Sequence, residues 1–479
     1  MVVMAGICAG LLFSTVAAPP IASRPAESPL RSHSPAAAVS LPAAIALAKD
    51  HDPDLRYLRE LHAAERYRIA EQYRAAFPRV RVSYSHSDTV QYGGADTRIR
   101  RVGIGLEQLL YNGGRTRRAV RLARTERDLR RITVEQHERE IEMTVIRAYL
   151  QAIGLARRIQ ISRQNLAIAE AQLQVGEKEH LLARTTELSL RELRLVVLDQ
   201  ELALRQLRVE RDTALKRLTR LIHAPGETPP LPILLQGELD LAYTGILSQN
   251  LAQAGKVGAL QDTRRYAEQE AFLDRAVTQE QIARRGILPR VTADGELSIS
   301  GREFPLNEPG FSLGVRIELT PAYGSASLRG NVGSPSAHAR TRSAETQFAP
   351  VERLERLYST AGARSERLRA EAAFAHFDRA LAGELQHELD EIALLRSRAA
   401  LLRSRISAQQ DRVHIVSTQV DIGEIPRLQV LKAVSELNVL ENSLADHIVR
   451  LFERELALLD IIGADIESRF AAIIEERAK

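Results

Sequence analysis

The chain has 479 residues, a net charge of +5, 27% charged and only 4% aromatic residues, and no Trp. Large globular cores need bulky side chains that this composition lacks, whereas long helices packed through Leu, Ile, Val and Ala suit it. The positive charge does not point to nucleic acid, because Arg and Glu alternate along the helical stretches without a basic block or interleaved aromatics for stacking.

Residues 1–23 are apolar up to Ala17-Ala18-Pro19-Pro20 and read as a secretory signal. The single cysteine, Cys8, lies inside it, so thiolate metal sites and Cys nucleophiles drop out of the mature chain. Residues 24–39, rich in Pro, Ser and Ala, read as a flexible leader. Beyond the leader, no apolar run is long enough for a membrane-spanning helix. A β-barrel is then the remaining way through a bilayer.

Two similar units follow, 40–236 and 237–479. Ser40 and Pro42 open a first helix, Asp52-Pro53 breaks it, and a second runs to about Ala76. The apolar period then falls from 3.6 to 2 over about 79–110, where Val80, Val82 and Tyr84 oppose Arg79, Arg81 and Ser83. From Gly114 to Val175 nothing stops a helix, and those 62 residues span roughly 93 Å. Gly176 is read as the turn of a coiled-coil hairpin whose returning helix shows apolar rows seven apart, Leu181/Leu188/Leu195/Leu202/Val209 and Leu190/Val197/Leu204. A seven-residue repeat specifies a supercoiled seam.

The second unit repeats the scheme. Thirty-five residues separate Pro78 from Gly113 and Pro289 from Gly324. A second hairpin is expected at about 290–320, and a second coiled-coil hairpin with its turn at Gly423 and a row Val430/Leu437/Leu444/Leu451/Leu458. Gly324 to Gly423 is longer than Gly113 to Gly176, and the surplus is assigned to an irregular insertion at about 325–350. The fold expected is mainly α with a small β part: two coiled-coil hairpins and four strands per chain. Four strands are too few to close a barrel alone. Their alternation suits either a sheet between lipid and water or a small soluble β-layer on a helical bundle. The histidines are scattered, and no catalytic, cofactor or metal site is expected.

The set of elements resembles the TolC-like outer-membrane efflux and secretion channels. The likeness rests on Ser40-Leu41-x-x-Ala44-Ile45, Asp52-Pro53-Asp54-Leu55, Ala76-Phe77-Pro78 with Ile287-Leu288-Pro289, and Gly103-Ile104-Gly105-Leu106-Glu107 running into Gly113-Gly114-Arg115. A closing pattern runs from Gly423 to Ala433. Leu109 stands where the family usually has Pro, and Pro321 and Gly324 stand for the hairpin-to-helix element of the second unit, without a double glycine.

The resemblance implies a homotrimer with a twelve-stranded barrel in outer-membrane lipid and a helical tunnel in the periplasm. It implies a periplasmic adaptor and an inner-membrane transporter as partners, and neither nucleic acid nor enzymatic chemistry. Gly176, Gly423, Leu428, Gln429, Val430 and Lys432 would lie at the periplasmic tip. Gln429 and Lys432 occupy the positions where the family commonly carries acidic residues that narrow the aperture. A periplasmic coiled-coil scaffold without a pore is the alternative.

Overall fold

The structure is a computed structural model; it describes residues 39–89, 97–183, 185–223, 235–245, 263–321, 324–336, 339–350, 355–422 and 424–466. The expected signal and leader lie outside these residues, apart from Val39. Helix α1 spans Leu41–His51 and α2 Pro53–Arg74. Asp52 separates them: its extended backbone ends α1, and its side chain accepts the Leu55 N–H at 2.6 Å to cap α2. Ser40 precedes α1 without a side-chain cap, and Pro42 fixes the first turn instead.

Strands β1 (Arg79–Thr89) and β2 (Thr97–Tyr111) lead into α3 (Arg115–Leu181) and α4 (Glu187–Ile222). The second unit has α5 (Arg264–Arg284), β3 (Arg290–Gly301), β4 (Glu308–Leu319), β5 (Gly324–Ser336), β6 (Ala339–Pro350), α6 (Glu355–Ile422) and α7 (Leu428–Ile462).

The strand count differs from expectation. The stretch assigned to an irregular insertion is a third β-hairpin, β5–β6, and the sheet has six antiparallel strands in the order β1-β2-β3-β4-β5-β6. Gly330, Gly333, Pro335 and the serines hid the alternation. Ala326, Leu328 and Val332 nevertheless share one face and Ser327, Arg329 and Asn331 the other. With this hairpin set aside, the units match closely: α3 has 67 residues and α6 has 68, about 100 Å each, while α4 has 36 and α7 has 35.

Among the described residues, the main core lies where α1, α3, α4, α6 and α7 meet the segment 235–245. Tyr149, Ile45, Leu218, Ile448 and Leu456 are buried there. Tyr149 Oη donates to the carbonyls of Val39 and Gln236, which form part of a small parallel bridge between Val39 and Leu235. Tyr243 stacks on Phe452 and donates to the buried Glu455 at 2.6 Å. This belt ties the two units together about midway along the long helices.

Candidate functional site: the sheet faces and the hairpin tip

The register of the sheet decides what each face is. Val80 pairs with Leu106, Leu106 with Gly295, Gly295 with Leu313, and Leu313 with Val332. The next row joins Val82, Ile104, Leu297 and Phe311. Along these rows one face of β1 to β5 is dominated by apolar and small residues, and on β6 it carries Phe348, Ala344, Thr346 and Arg342. It is also exposed: Val82 is 72% accessible, Leu297 70%, Leu313 63% and Phe348 67%.

The opposite face carries Arg81, Glu107, Asp294, Glu296, Arg316, Arg329 and Glu345, with ion pairs Arg81–Glu107 at 3.5 Å and Arg329–Asp294 at 3.6 Å. Gly314 lies beneath the second pair. A Cβ there would fall 2.1 Å from Asn331 Oδ1 and 2.8 Å from Asp294 Oδ2, so its absence lets β5 side chains reach β3 across β4. An extended apolar face on one side of a charged face is the arrangement of a wall between hydrocarbon and water.

At the junction of sheet and helix, Gly113 and Gly114 have φ of +68° and +75°, in the left-handed region. A Cβ on Gly113 would also lie 2.7 Å from that of Leu288, and Arg285 reaches the Gly113 carbonyl at 3.3 Å. The pair lies between the end of β2 at Tyr111 and the start of α3 at Arg115. Pro321 is exposed after β4, but Gly324 is not at a helix start. It begins β5 opposite Pro350, because the inserted hairpin moves the start of the helix to Glu355.

The far end of the helices is built differently from the expectation at one point. Gly176 is buried inside α3, and the chain reverses between Leu181 and Glu187, where Ala183 has φ +57° and Thr186 caps α4 by accepting the Ser189 N–H. A lone glycine costs a helix only about 1 kcal/mol relative to Ala. Here it admits the return helix, since a Cβ at Gly176 would sit 2.7 Å from Leu193 Cδ1. In the second unit the chain reverses between Ile422 and Leu428; Gly423 itself lies outside the described residues.

After that reversal Gln429 and Lys432 are exposed, while Val430 is buried with Val420 and Val434. Leu428 packs beside Leu431, Ala169, Leu193 and Val197, joining the two hairpins. A residue the sequence reading missed completes the joint. Arg427 forks onto Glu179 of α3 with Nη2–Oε1 at 2.7 Å and Nε–Oε2 at 2.9 Å, and donates to Gln172 at 3.2 Å. Two parallel bonds from a planar guanidinium fix direction as well as distance. An Arg in an Arg-rich chain carries no local signal of that role.

The seven-residue rows divide into two kinds. Leu190, Leu193, Val197, Leu204 and Leu207 are buried within the α3–α4 hairpin. Leu181, Leu188, Leu195, Leu202 and Val209 are exposed at 84, 69, 60, 56 and 66%. On α6, Leu394, Leu401, Ile415 and Ile422 form a similar exposed row, with Ala408 at the intervening position. In the second hairpin the row Val430/Leu437/Leu444/Leu451/Leu458 is turned inward, with Leu437 half-buried and the others buried.

Among the described residues, Asp52, Asp54 and His137 could offer a metal ligand atoms within 4.8 Å of one another. Asp52 Oδ1, however, already serves the α2 cap and His137.

The family model of the outer membrane efflux proteins matches residues 44–223. The match covers most of the first unit. Over about nine tenths of its length the chain has the fold of solved outer-membrane channels. The outer-membrane channel OprN superposes with a TM-score of 0.71 at 18% identity, covering 89% of this chain and 90% of that one. The open MtrE outer membrane channel of Neisseria gonorrhoeae gives 0.69 at 14%, covering 88% and 89%. The Campylobacter jejuni CmeC outer membrane channel gives 0.66 at 13%, covering 90% and 88%. A comparison with curated protein sequences gave no match. The efflux-channel fold explains the division of labour along the chain: a sided sheet at one end, a packed belt midway and two hairpin tips at the other.

Proposed function

We propose that copies of this chain, three in number, form an outer-membrane channel-tunnel that is the exit duct of an efflux pump or a type I secretion system. The sheet lies in lipid, and the helices run through the periplasm to a tip opened by an adaptor and an inner-membrane transporter. The duct is passive and carries no catalytic chemistry. The observation that carries this reading is the sided sheet. An apolar face this exposed, on strands whose end members β1 and β6 each have one unpaired edge, suits a closed barrel in a bilayer. A periplasmic scaffold would leave both the face and the edges in water.

The exposed rows on α4 and α6 support assembly of several copies. Each is an unpartnered heptad seam, and the row on α4 of one copy can pack against that on α6 of the next. Electron microscopy of the protein extracted from membranes in detergent tests the reading. Three-fold needles roughly 130–150 Å long are expected, from about 100 Å of helix with the sheet added. Chains that leave the membrane without detergent would overturn it.

At the tip we assign Lys432 to a ring of three ammonium groups facing the aperture, which lowers cation preference. Lys432→Asp is then expected to shift the reversal potential in planar bilayers towards cation selectivity; an unchanged potential removes Lys432 from the aperture.

A further inference from the structure

We infer that the barrel built by this chain has eighteen strands, closed by β6 of each copy pairing with β1 of the next. The inference rests on the trimeric channel proposed above and specifies the contact between its copies.

The third hairpin is part of the wall. β5 and β6 have 13 and 12 residues, against 12 each for β3 and β4, so they span the same thickness of bilayer. β5 is bonded to β4 in continuous register from Leu319–Ala326 to Phe311–Ser334, and β6 to β5 from Gly324–Pro350 to Gly333–Thr341. The outer face continues from Leu313, Ile317 and Leu319 to Val332, Leu328 and Ala326 on β5, and on β6 it carries Phe348, Thr346 and Ala344 and ends on Arg342 opposite Val332. The polar face continues too, through Arg329 to Asp294. With β5 seated on β4, the edge of β4 is occupied and cannot receive β1 of another copy. The free edges are those of β1 and β6.

These edges suit each other. The strand number per chain is even, so β6 runs opposite to β1 of the next copy, and the antiparallel alternation holds around the ring. Their lengths agree, at 11 and 12 residues. On the polar face β1 presents Arg79 and Arg81, and β6 presents Glu345, so charges of opposite sign line the seam.

Strands about 4.8 Å apart and tilted by about 40° put eighteen of them on a cylinder roughly 36 Å across, against roughly 24 Å for twelve. The outer-membrane end of the duct is therefore wider than a four-strand chain would make it.

Disulfide cross-linking in outer membranes tests the seam, in a Cys8→Ser background. Glu345→Cys is combined in turn with Arg79→Cys, Arg81→Cys and Ser83→Cys, which sample the register on one face. In parallel, Ser312→Cys on β4 is combined with the same three. One β6–β1 combination is expected to give dimer and trimer bands that reductant removes, with none from β4–β1 and none from the single-cysteine chains. Bands from β4–β1, or from neither set while the protein remains trimeric, overturn the eighteen-stranded closure and leave the channel reading standing. Absence of a trimer from the outer membrane overturns both. The width of the barrel end in three-fold particles, nearer 36 Å than 24 Å, is the second measurement.

Discussion

Gly113 and Glu441 show how single residues set limits on this fold. Gly113 combines a left-handed backbone with a Cβ site already filled by Leu288, so no other residue fits without strain. Gly113→Ala is expected to destabilise the sheet-to-helix junction by at least about 1–2 kcal/mol, seen as less folded trimer in outer membranes and a lower Tm. Glu441, in the first half of α7, has its carboxyl pushed above the ordinary carboxylate value by burial, which the Arg157 charge and a Gln410 hydrogen bond only partly offset. The folded state therefore holds the proton more tightly than the unfolded one. The stability this group contributes is present below the ordinary carboxylate value and is lost as pH rises through the raised one. Glu441→Gln should raise Tm at pH 7.5 and leave it nearly unchanged at pH 4, read by circular dichroism melts in detergent. Equal melts at pH 7.5 would show that Glu441 stays solvated.

Among the elements, the coiled-coil hairpins are held to each other at the tip by one charged fork and a small apolar cluster. Arg427 and Glu179 are both less than one third exposed, and breaking a charge-assisted pair of this kind costs on the order of 1.5–3 kcal/mol. Arg427→Ala should let the hairpins separate there, giving a larger single-channel conductance in planar bilayers at unchanged secondary structure. Conductance equal to that of the parent would show that the cluster of Leu428, Leu431 and Leu193 holds the tip by itself. The belt at residues 235–245 is the fixed point for such a movement. There Arg403 donates to the Leu241 and Tyr243 carbonyls, and Asp460 receives both Arg139 and Arg265. Burial disfavours the charge on Arg265, but Asp460 and Glu384 outweigh it and hold the guanidinium above its ordinary range.

For the whole molecule, the proposed assembly would use surfaces that a single chain leaves bare. The exposed row on α4 has the same spacing as the buried seam beside it, and Leu195 and Leu202 lie at its middle. Replacing both with Glu should abolish the trimer by placing carboxylates in an apolar seam, while the α3–α4 hairpin keeps its own core. Size-exclusion chromatography in detergent should then show smaller particles with unchanged helix content. Persistence of the trimer would assign the row to lipid, adaptor or solvent rather than to a neighbouring copy.

The sequence by itself determined the long helices, the change of period into strands and the heptad rows. Each is a local property of spacing or backbone conformation and survives without knowledge of neighbours. It did not determine which heptad row is buried. Leu190 and Leu188 look equivalent as letters, and only the position of α3 separates them. Nor did it place the turn: Gly176 reads as a breaker until Leu193 is seen packed against it. The β5–β6 hairpin was hidden because glycine and serine carry little alternation, and its register is supplied by β4 across the sheet. Tertiary structure also chose Arg427 from among many arginines, by bringing Glu179 and Gln172 within reach.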